Sequence, residues 1–356
     1  MRIVIIFWCF ASLLFLFLND NEYHWKISEI NSNIIGVLDM KRRYLIILLI
    51  ILSIISLFIG VKNITPLDLI YWRDEEVQIF LISRVPRLVS IIIAGVSLSI
   101  CGLIMQQLTR NKFVSPTTAG TMDSARLGVL VSLMLFTSAS MFQKMIVAFI
   151  FALLGTFIFM KILEKVKYKD AIFIPLVGLM FGNIIGSITT FFAYKNDLIQ
   201  NMSSWLQGNF SLIMQGRYEL LYMSIPLMVI AYLFANRFTV AGMGEEFAVN
   251  LGMNYKRVVN IGLIIVALVA TLVLLTVGMI PFLGLIVPNI VSLYQGDNLK
   301  KNLSHTALIG AIFVLVCDIL GRTIIYPYEI PIGLTVGVIG SGMFLYLLMR
   351  RKNYAA

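Results

Sequence analysis

Charged residues are scarce in this sequence. Only 13% of its 356 residues are charged, whereas a soluble domain carries about a quarter. Apolar residues make up 59% of the chain, and the mean hydropathy is +0.92. A soluble fold cannot hide so much apolar surface, because a large part of any folded surface faces water. The composition therefore predicts an integral membrane protein.

Residues for catalysis and metal binding are also scarce. The chain has two histidines, His24 and His305, and contains neither an H-E-x-x-H motif nor a G-x-x-x-x-G-K-[ST] phosphate loop. Its three cysteines lie in apolar stretches without metal-ligand spacing, and we expect them to be small core residues. We expect no catalytic residue, bound cofactor or metal site, which leaves a membrane enzyme with little support.

Apolar runs long enough to cross a bilayer recur along the chain. A spanning helix needs about 20 mostly apolar residues, and helices satisfy every backbone group within hydrocarbon. The eighth and ninth runs are short for a full crossing. We predict an all-α polytopic fold of about ten spans, at roughly 44–60, 88–108, 118–137, 141–162, 171–194, 218–235, 258–279, 282–294, 306–320 and 332–349.

The basic residues predict an orientation and not a nucleic-acid site. The net charge of +10 comes from short clusters between apolar runs. With the segment before residue 44 inside, inner connections hold seventeen Lys and Arg and outer ones hold eight. Cytoplasmic loops retain basic residues, so both termini of the ten-helix unit are predicted to be cytoplasmic, and we expect no nucleic-acid partner.

The first 39 residues fit this scheme poorly. An apolar run at 3–18 is followed by a polar stretch, and no small-residue cleavage pattern follows. Met40, followed by three basic residues and the first apolar run, would make an ordinary start for a membrane protein. We interpret 1–39 as an extension, dispensable or the product of a mis-set start, and 40–356 as the transmembrane domain.

Few ionisable residues fall inside the predicted spans. Asp123 and Arg126 are three apart, and Asp318 and Arg322 are four apart, so each pair shares a helix face. Such residues are functional candidates, but each pair can equally be a local, charge-cancelling one. An ion-gradient-coupled carrier, the main alternative function, usually needs an unpaired acid at mid-membrane, and none is convincing here.

Four ordered stretches carry a family resemblance from about Met40 to the C-terminus. Together they resemble the permease family of ATP-binding-cassette importers for iron-siderophores, haem and cobalamin. Asn289 departs from the pattern, because many members have histidine there. The stretches are Arg-Val-Pro-Arg at 84–87, Val-Ser-Pro-Thr-Thr-Ala-Gly at 114–120, Gly-Glu-Glu at 244–246 with Asn-Leu-Gly-Met-Asn at 250–254, and 278–288 followed by 318–322 and 329–333.

The resemblance implies a fold like that of the cobalamin-importer permeases, in a bacterial cytoplasmic membrane. Residues 113–128 look most like the branch that imports ferric catecholate-type siderophores. The partners implied are a second permease subunit, identical or not, two cytoplasmic ATPase subunits, an extracytoplasmic siderophore-binding protein and membrane lipid. ATP would be used by the partner ATPase.

The same resemblance implies three sets of site residues. A coupling segment for the ATPase comprises Gly244, Glu245, Glu246, Leu251, Gly252 and Asn254; an ordinary amphipathic loop is the alternative. Docking of the binding protein falls on Arg84, Arg87 and Arg322; snorkelling at the interface is the alternative. The translocation path falls on Gly178, Met180, Phe181, Gly182, Asn183 and Gly186, although packing is an open alternative for each. The stretch 205–209 is a further candidate, for an outer gate.

Overall fold

The computed structural model describes residues 42–60, 74–136, 140–165, 173–211, 213, 218–296 and 298–352. Its regular elements are all helical, and the described residues contain no strand. The predicted extension 1–39 lies outside the described residues. The prediction of an all-α fold is confirmed.

Fourteen α-helices can be numbered within the described residues. A π-helical turn, Phe80–Arg84, joins α2 to α3, and a 3-10 helix, Glu219–Met223, precedes α8. The α-helices are α1 (Arg42–Phe58), α2 (Asp74–Ile79), α3 (Val85–Leu108), α4 (Thr121–Leu135), α5 (Met141–Lys165), α6 (Phe173–Lys195), α7 (Ile199–Leu206), α8 (Ser224–Leu233), α9 (Ala235–Gly242), α10 (Glu245–Asn250), α11 (Tyr255–Thr276), α12 (Leu283–Gln295), α13 (Leu299–Thr323) and α14 (Ile332–Lys352).

Each of the ten predicted spans coincides with a helical segment, but some limits differ. The ninth is longer than predicted, because the Asn298 side chain caps α13 by accepting from the Lys301 N–H at 3.1 Å. The eighth, α12, has only 13 residues and lies between two positive-φ positions, Phe282 and Gly296. The sixth ends at a bend, where the Glu219–Leu233 segment meets α9 at 60°.

Five helical segments in the described chain are long and apolar enough to cross a membrane, or six if the bent pair forms one span. They are Val77–Leu108, Phe142–Lys165, Phe173–Lys195, Tyr255–Thr276 and Leu299–Thr323. Helices α1 and α4 and the shorter apolar helices α12 and α14 stand at the other predicted spans. The prediction of a polytopic bundle of about ten segments agrees with this arrangement.

Helix α3 is the centre of the bundle and packs against α13, α12 and α11. Small residues bring these backbones together. A Cβ at Gly102 would overlap the carbonyl of Gly284 on α12, and one at Gly95 would lie 2.8 Å from the Gly310 carbonyl oxygen on α13. Cys101 and Cys317 are free and buried in this core, as expected from the sequence.

Candidate functional site

The residues predicted for docking and for coupling lie at opposite ends of the bundle. Arg87 stands in the first turn of α3, and Arg110 follows its last turn. These 23 positions separate the two residues by about 35 Å at 1.5 Å per residue, which is enough to cross the hydrocarbon layer. A Cβ at Gly244, beside α10, would lie 3.1 Å from Arg110 Nη1, so the coupling segment is at the Arg110 end.

At the other end, three arginines and two acids form what we call the arginine cluster: Arg84, Arg87, Arg322, Asp318 and Glu329. Arg87 binds both acids. Its Nη2 and Nε donate to Asp318 Oδ1 at 2.7 and 3.3 Å, and its Nη1 donates to Glu329 Oε2 and Oε1 at 2.8 and 3.0 Å. The cluster therefore joins α3, α13 and the segment before α14.

The other two arginines tie the end of α1 into the cluster. Arg322 Nη2 lies 2.7 Å from Asp318 Oδ2, and its Nη1 donates to the carbonyls of Ser56 and Ile59 at 2.9 and 2.7 Å. Arg84 Nη1 donates to the Leu57 carbonyl at 2.7 Å. Both guanidinium groups thus satisfy carbonyls at a helix C-terminus, where positive charge is favourable.

Burial divides the cluster into an inner and an outer part. The side chains of Asp318 and Arg322 are 3% and 5% exposed, whereas those of Arg87 and Glu329 are 13% and 24% exposed. The three arginines therefore have partners within this chain, and Glu329 is the more accessible of its two acids. Docking at these arginines stays a prediction.

The two predicted intramembrane pairs differ. Asp318 and Arg322 form the local salt bridge expected from their spacing. No salt bridge joins Asp123 and Arg126 in the described part of the chain, although their opposite charges attract one another across one turn of α4. The Nε atom of Arg126 is buried without a hydrogen-bond partner there.

The coupling segment is a tight turn around α10. Gly244 and Gly252 have φ of 120° and 75°, which favours glycine at both positions. Glu245 and Glu246 occupy the first turn of α10, where negative charge is stabilising. Asn254 caps α11, its Oδ1 accepting from the Arg257 N–H at 3.1 Å. Each predicted residue thus has a definable place in this turn.

Apolar side chains project outward around the same turn. Ala248 is fully buried and anchors α10 to the bundle, while Leu251 is 61% exposed. Exposed apolar groups among charged ones favour contact with another protein. The residues of this coupling surface are Met243, Phe247, Val249 and Leu251, with Glu245 and Glu246 beside them.

Only 22% of the most apolar stretch of α6 is buried within the protein, against 78% of the corresponding stretch of α11. Two of its glycines, Gly178 and Gly182, face inward. A Cβ at Gly178 would overlap the Thr118 carbonyl, and one at Gly182 would lie 2.6 Å from Asp123 Oδ2. Gly178 and Gly182, predicted for the path, therefore contact the subunit's own interior.

The other predicted path residues lie on or beside the open face of α6. Met180 is 60% exposed, and Asn183 is exposed as well. A Cβ added to Gly186 would have no neighbouring atom of the described chain within 4 Å, so this side of the helix is open. Phe181 is half-buried and packs over Gly120, whose φ is +71°. The open face is therefore the surface of α6 that can line a path.

The loop before α4 is buried, although its last residues fall within the third predicted span. Ser115 and Ala119 are fully buried. The loop satisfies its own polar groups: the Ser115 N–H donates to Thr118 Oγ1 at 2.8 Å, and the Ala119 N–H donates to the Ser115 carbonyl at 2.9 Å. This loop forms the inner support of α6 at Gly178 and Gly182.

Three backbone segments meet in what we call the outer joint, which includes part of the candidate gate 205–209. The Gly333 N–H donates to the Gly208 carbonyl at 3.2 Å, and the Asn209 N–H donates to the Val277 carbonyl at 2.7 Å. A cleft of about 320 Å³ opens here, lined by Gln207, Met279, Pro281, Pro331, Gly333 and Leu334. The segment 331–333 begins two residues after Glu329, so the joint adjoins the arginine cluster.

Sequence reasoning missed the role of Glu329. It lies in a stretch, 329–333, that contributed to the resemblance, but its partner Arg87 is 242 positions away. Chemistry predicts that an arginine buried near a membrane surface needs an acid, but nothing in the sequence singles out Glu329 as that acid.

A family model described as the FecCD transport family matches residues 48–350 of the chain. The petrobactin import system permease protein YclN of Bacillus subtilis is 70% identical over 316 residues, covering 89% of this chain and 100% of the relative. The ferric-anguibactin transport system permease protein FatD of Vibrio anguillarum is 40% identical over 295 residues, covering 83% and 94%.

A solved structure has the same fold. It is that of a metal-chelate type ABC transporter in an inward-facing conformation, with a TM-score of 0.72 at 21% identity. The match covers 87% of this chain and 98% of that one. At this identity the likeness bears on the fold alone.

Proposed function

The chain belongs to the FecCD transport family, and on that premise we propose that it carries ferric siderophores of the catecholate type across the cytoplasmic membrane. Its membership makes it a multi-pass permease subunit of a bacterial ABC-type iron-chelate importer. The relatives that import petrobactin and anguibactin support the cargo class, and petrobactin is the first cargo to test.

The observation that carries the proposal is the coupling surface. An importer subunit without an ATP site must receive its movement through a rigid element that contacts an ATPase. Helix α10 is such an element: Ala248 fixes it to the bundle, and Phe247 and Leu251 stand exposed beside Glu245 and Glu246. We infer that two ATPase subunits bind at this end and hydrolyse the ATP, while this chain performs no chemistry.

The open face of α6 suits a path between two permease subunits. Asn183, Ser187 and Thr190 form an exposed polar row at helical spacing, and Met180 lies beside it. Ser187 and Thr190 satisfy their hydroxyls on the carbonyls of Asn183 and Gly186, at 2.8 and 2.9 Å. The resulting surface offers few strong bonds, which lets a large chelate pass without being held.

The arginine cluster would then face the extracytoplasmic binding protein. The excess of Lys and Arg at the coupling end supports a cytoplasmic location for that end, and α3 places the cluster on the opposite side. Arginine contacts with acidic residues of the partner would fix the register of docking more than they would add affinity. The termini of the ten-helix unit are cytoplasmic in this arrangement.

Co-purification tests the proposal. The protein, solubilised in detergent after expression with its neighbouring genes, should bring down an ATPase that carries a phosphate-binding loop. A sister permease in the same sample would indicate a heterodimer, and its absence a homodimer. A chain that purifies without any ATPase contradicts the proposal.

The ion-coupled carrier remains a second candidate on one observation. Asp123 has no salt bridge to Arg126 in the described chain, and it lies beside Gly182 on the α6 side of α4. An acid of this kind is what such a carrier needs at mid-membrane. Uptake of a ferric siderophore driven by an ion gradient, without ATP, would support it.

A further inference from the structure

Glu329 closes the outer side of the arginine cluster. Its two carboxylate oxygens accept from Arg87 Nη1 at 3.0 and 2.8 Å, and its side chain is 24% exposed against 3% for Asp318. The other edge of the Arg87 guanidinium is bound to Asp318. The guanidinium is therefore held from within, and its outer edge alone is bound to a group that water can reach.

That outer edge has room for one carboxylate. An arginine engages a carboxylate through the fixed geometry of its N–H groups, and Arg87 Nη1 already donates to both oxygens of Glu329. A partner that docks through acidic side chains would bring a carboxylate to this same position. Glu329 and the partner's acid would then compete for Arg87.

We propose that Glu329 is an internal stand-in for a carboxylate of the extracytoplasmic binding protein. In the unbound permease Glu329 occupies Arg87, and an acidic side chain of the binding protein displaces it on docking. The inference rests on the proposed function, which supplies the binding protein. It assigns Glu329 as a positioning residue that sets how easily the partner reaches Arg87.

Glu329 lies beside the backbone segment that forms part of the outer joint. Glu329 precedes Ile330, whose N–H donates to the Gly321 carbonyl on α13 at 2.9 Å. Gly333 follows and donates to the Gly208 carbonyl at 3.2 Å, just beyond α7. Helix α7 follows α6 along the chain, so the chain and the Gly333–Gly208 hydrogen bond connect Glu329 to the helix whose open face is proposed to line the path.

The sign of the effect of a mutation distinguishes a competitor from a purely structural residue. Glu329→Gln keeps the shape of the side chain and removes its charge. Removing a competitor should tighten binding by about twofold to fivefold, which is the affinity equivalent of a partly exposed ion pair. A structural residue's removal loosens the cluster and leaves binding unchanged or weaker.

The experiment measures the affinity of the permease–ATPase complex for a petrobactin-binding protein loaded with ferric petrobactin. The complex is placed in phosphatidylcholine nanodiscs, which excludes anionic lipid as the group that replaces Glu329. Glu329→Asp provides a milder second variant and should bind with an affinity between those of the wild type and Glu329→Gln. Glu219→Gln, which removes an exposed acid outside the cluster, is the matched control and should bind like the wild type.

The gain must also depend on Arg87. In an Arg87→Gln background, Glu329→Gln should bring no further gain, because the two residues act through one contact. Equal or weaker binding by both Glu329 variants, alongside normal wild-type binding, overturns the exchange and leaves the proposed function intact. Failure of the wild-type complex to bind the protein at all overturns the proposed docking and the exchange together.

Discussion

The guanidinium of Arg87 holds the carboxylate of Asp318 across 231 positions of sequence, with Nη2 2.7 Å from Oδ1. Asp318 also lies 2.7 Å from Arg322, so one buried acid joins the start of α3 to the end of α13. Arg322 in turn donates to the carbonyls of Ser56 and Ile59, which connects the cluster to the end of α1. The arginines that sequence analysis assigned to a partner thus also hold this end of the bundle together.

Asp318→Asn should destabilise the permease. The substitution leaves two buried arginines facing a neutral group, and breaking a buried ion pair from one side costs about 3 kcal/mol or more. Thermal unfolding of the detergent-solubilised protein measures the effect. Asp197→Asn is the control, because Asp197 is exposed at a φ of 56° that asparagine also tolerates. Equal unfolding midpoints for the two variants would count against a structural role for the cluster.

Replacement by alanine should change the stability of the protein differently at two glycines of α6. At Gly178 a Cβ would overlap the Thr118 carbonyl, so Gly178→Ala should lower stability by about 1–3 kcal/mol through overpacking. At Gly186 a Cβ would meet no neighbouring atom of the described residues within 4 Å, so Gly186→Ala should be neutral or slightly stabilising. Thermal unfolding checks both. A stable Gly178→Ala variant would show that the buried loop does not support α6 closely.

The apolar part of the coupling surface should be needed for ATPase binding. Replacing Phe247 and Leu251 together by alanine should weaken association by about tenfold or more, since a few buried apolar side chains dominate most interfaces. Tyr328→Ala, which alters a residue 75% exposed at the opposite end, is the control. The measurement is the affinity of each variant for the purified ATPase. An unchanged affinity of the double variant would show that the ATPase does not bind at this surface.

Reversing the charge of Glu245 and Glu246 tests the polar part of the same surface. Lysines in the first turn of α10 oppose the helix dipole and any basic groups on the partner. Transport and ATPase association should fall together, while the unfolding temperature changes little because both side chains are exposed. Normal co-purification of the ATPase with this variant would argue against the assignment.

The membrane-spanning segments could be predicted because a long apolar run in a bilayer has few stable structures other than a helix. Helix α13 was underestimated only because its first turn, capped by Asn298, is polar. The 60° bend between α8 and α9 had no proline or glycine at the break to announce it. The length and composition of an apolar run define where a helix can cross the bilayer, but they do not define where the helix axis bends.

Contacts between residues far apart in the chain could not be predicted from the sequence. The partner of Arg322 one turn away, Asp318, was foreseen from spacing, whereas Glu329 was not paired with Arg87 because nothing local connects them. In the same way, Gly178 and Gly182 were assigned to the path from the family resemblance, and the fold turns them toward Thr118 and Asp123. Which face of a helix lines a path depends on its neighbours and not on its own residues.

Uptake of ferric petrobactin into proteoliposomes tests the central claim most directly. The vesicles contain the permease and its ATPase, with a petrobactin-binding protein on the outer side, and they are compared with and without internal ATP and with and without an ion gradient. We predict uptake that requires ATP, needs no gradient and is retained by Asp123→Asn. Uptake without ATP, driven by the gradient and abolished by Asp123→Asn, would contradict the importer and establish the ion-coupled carrier.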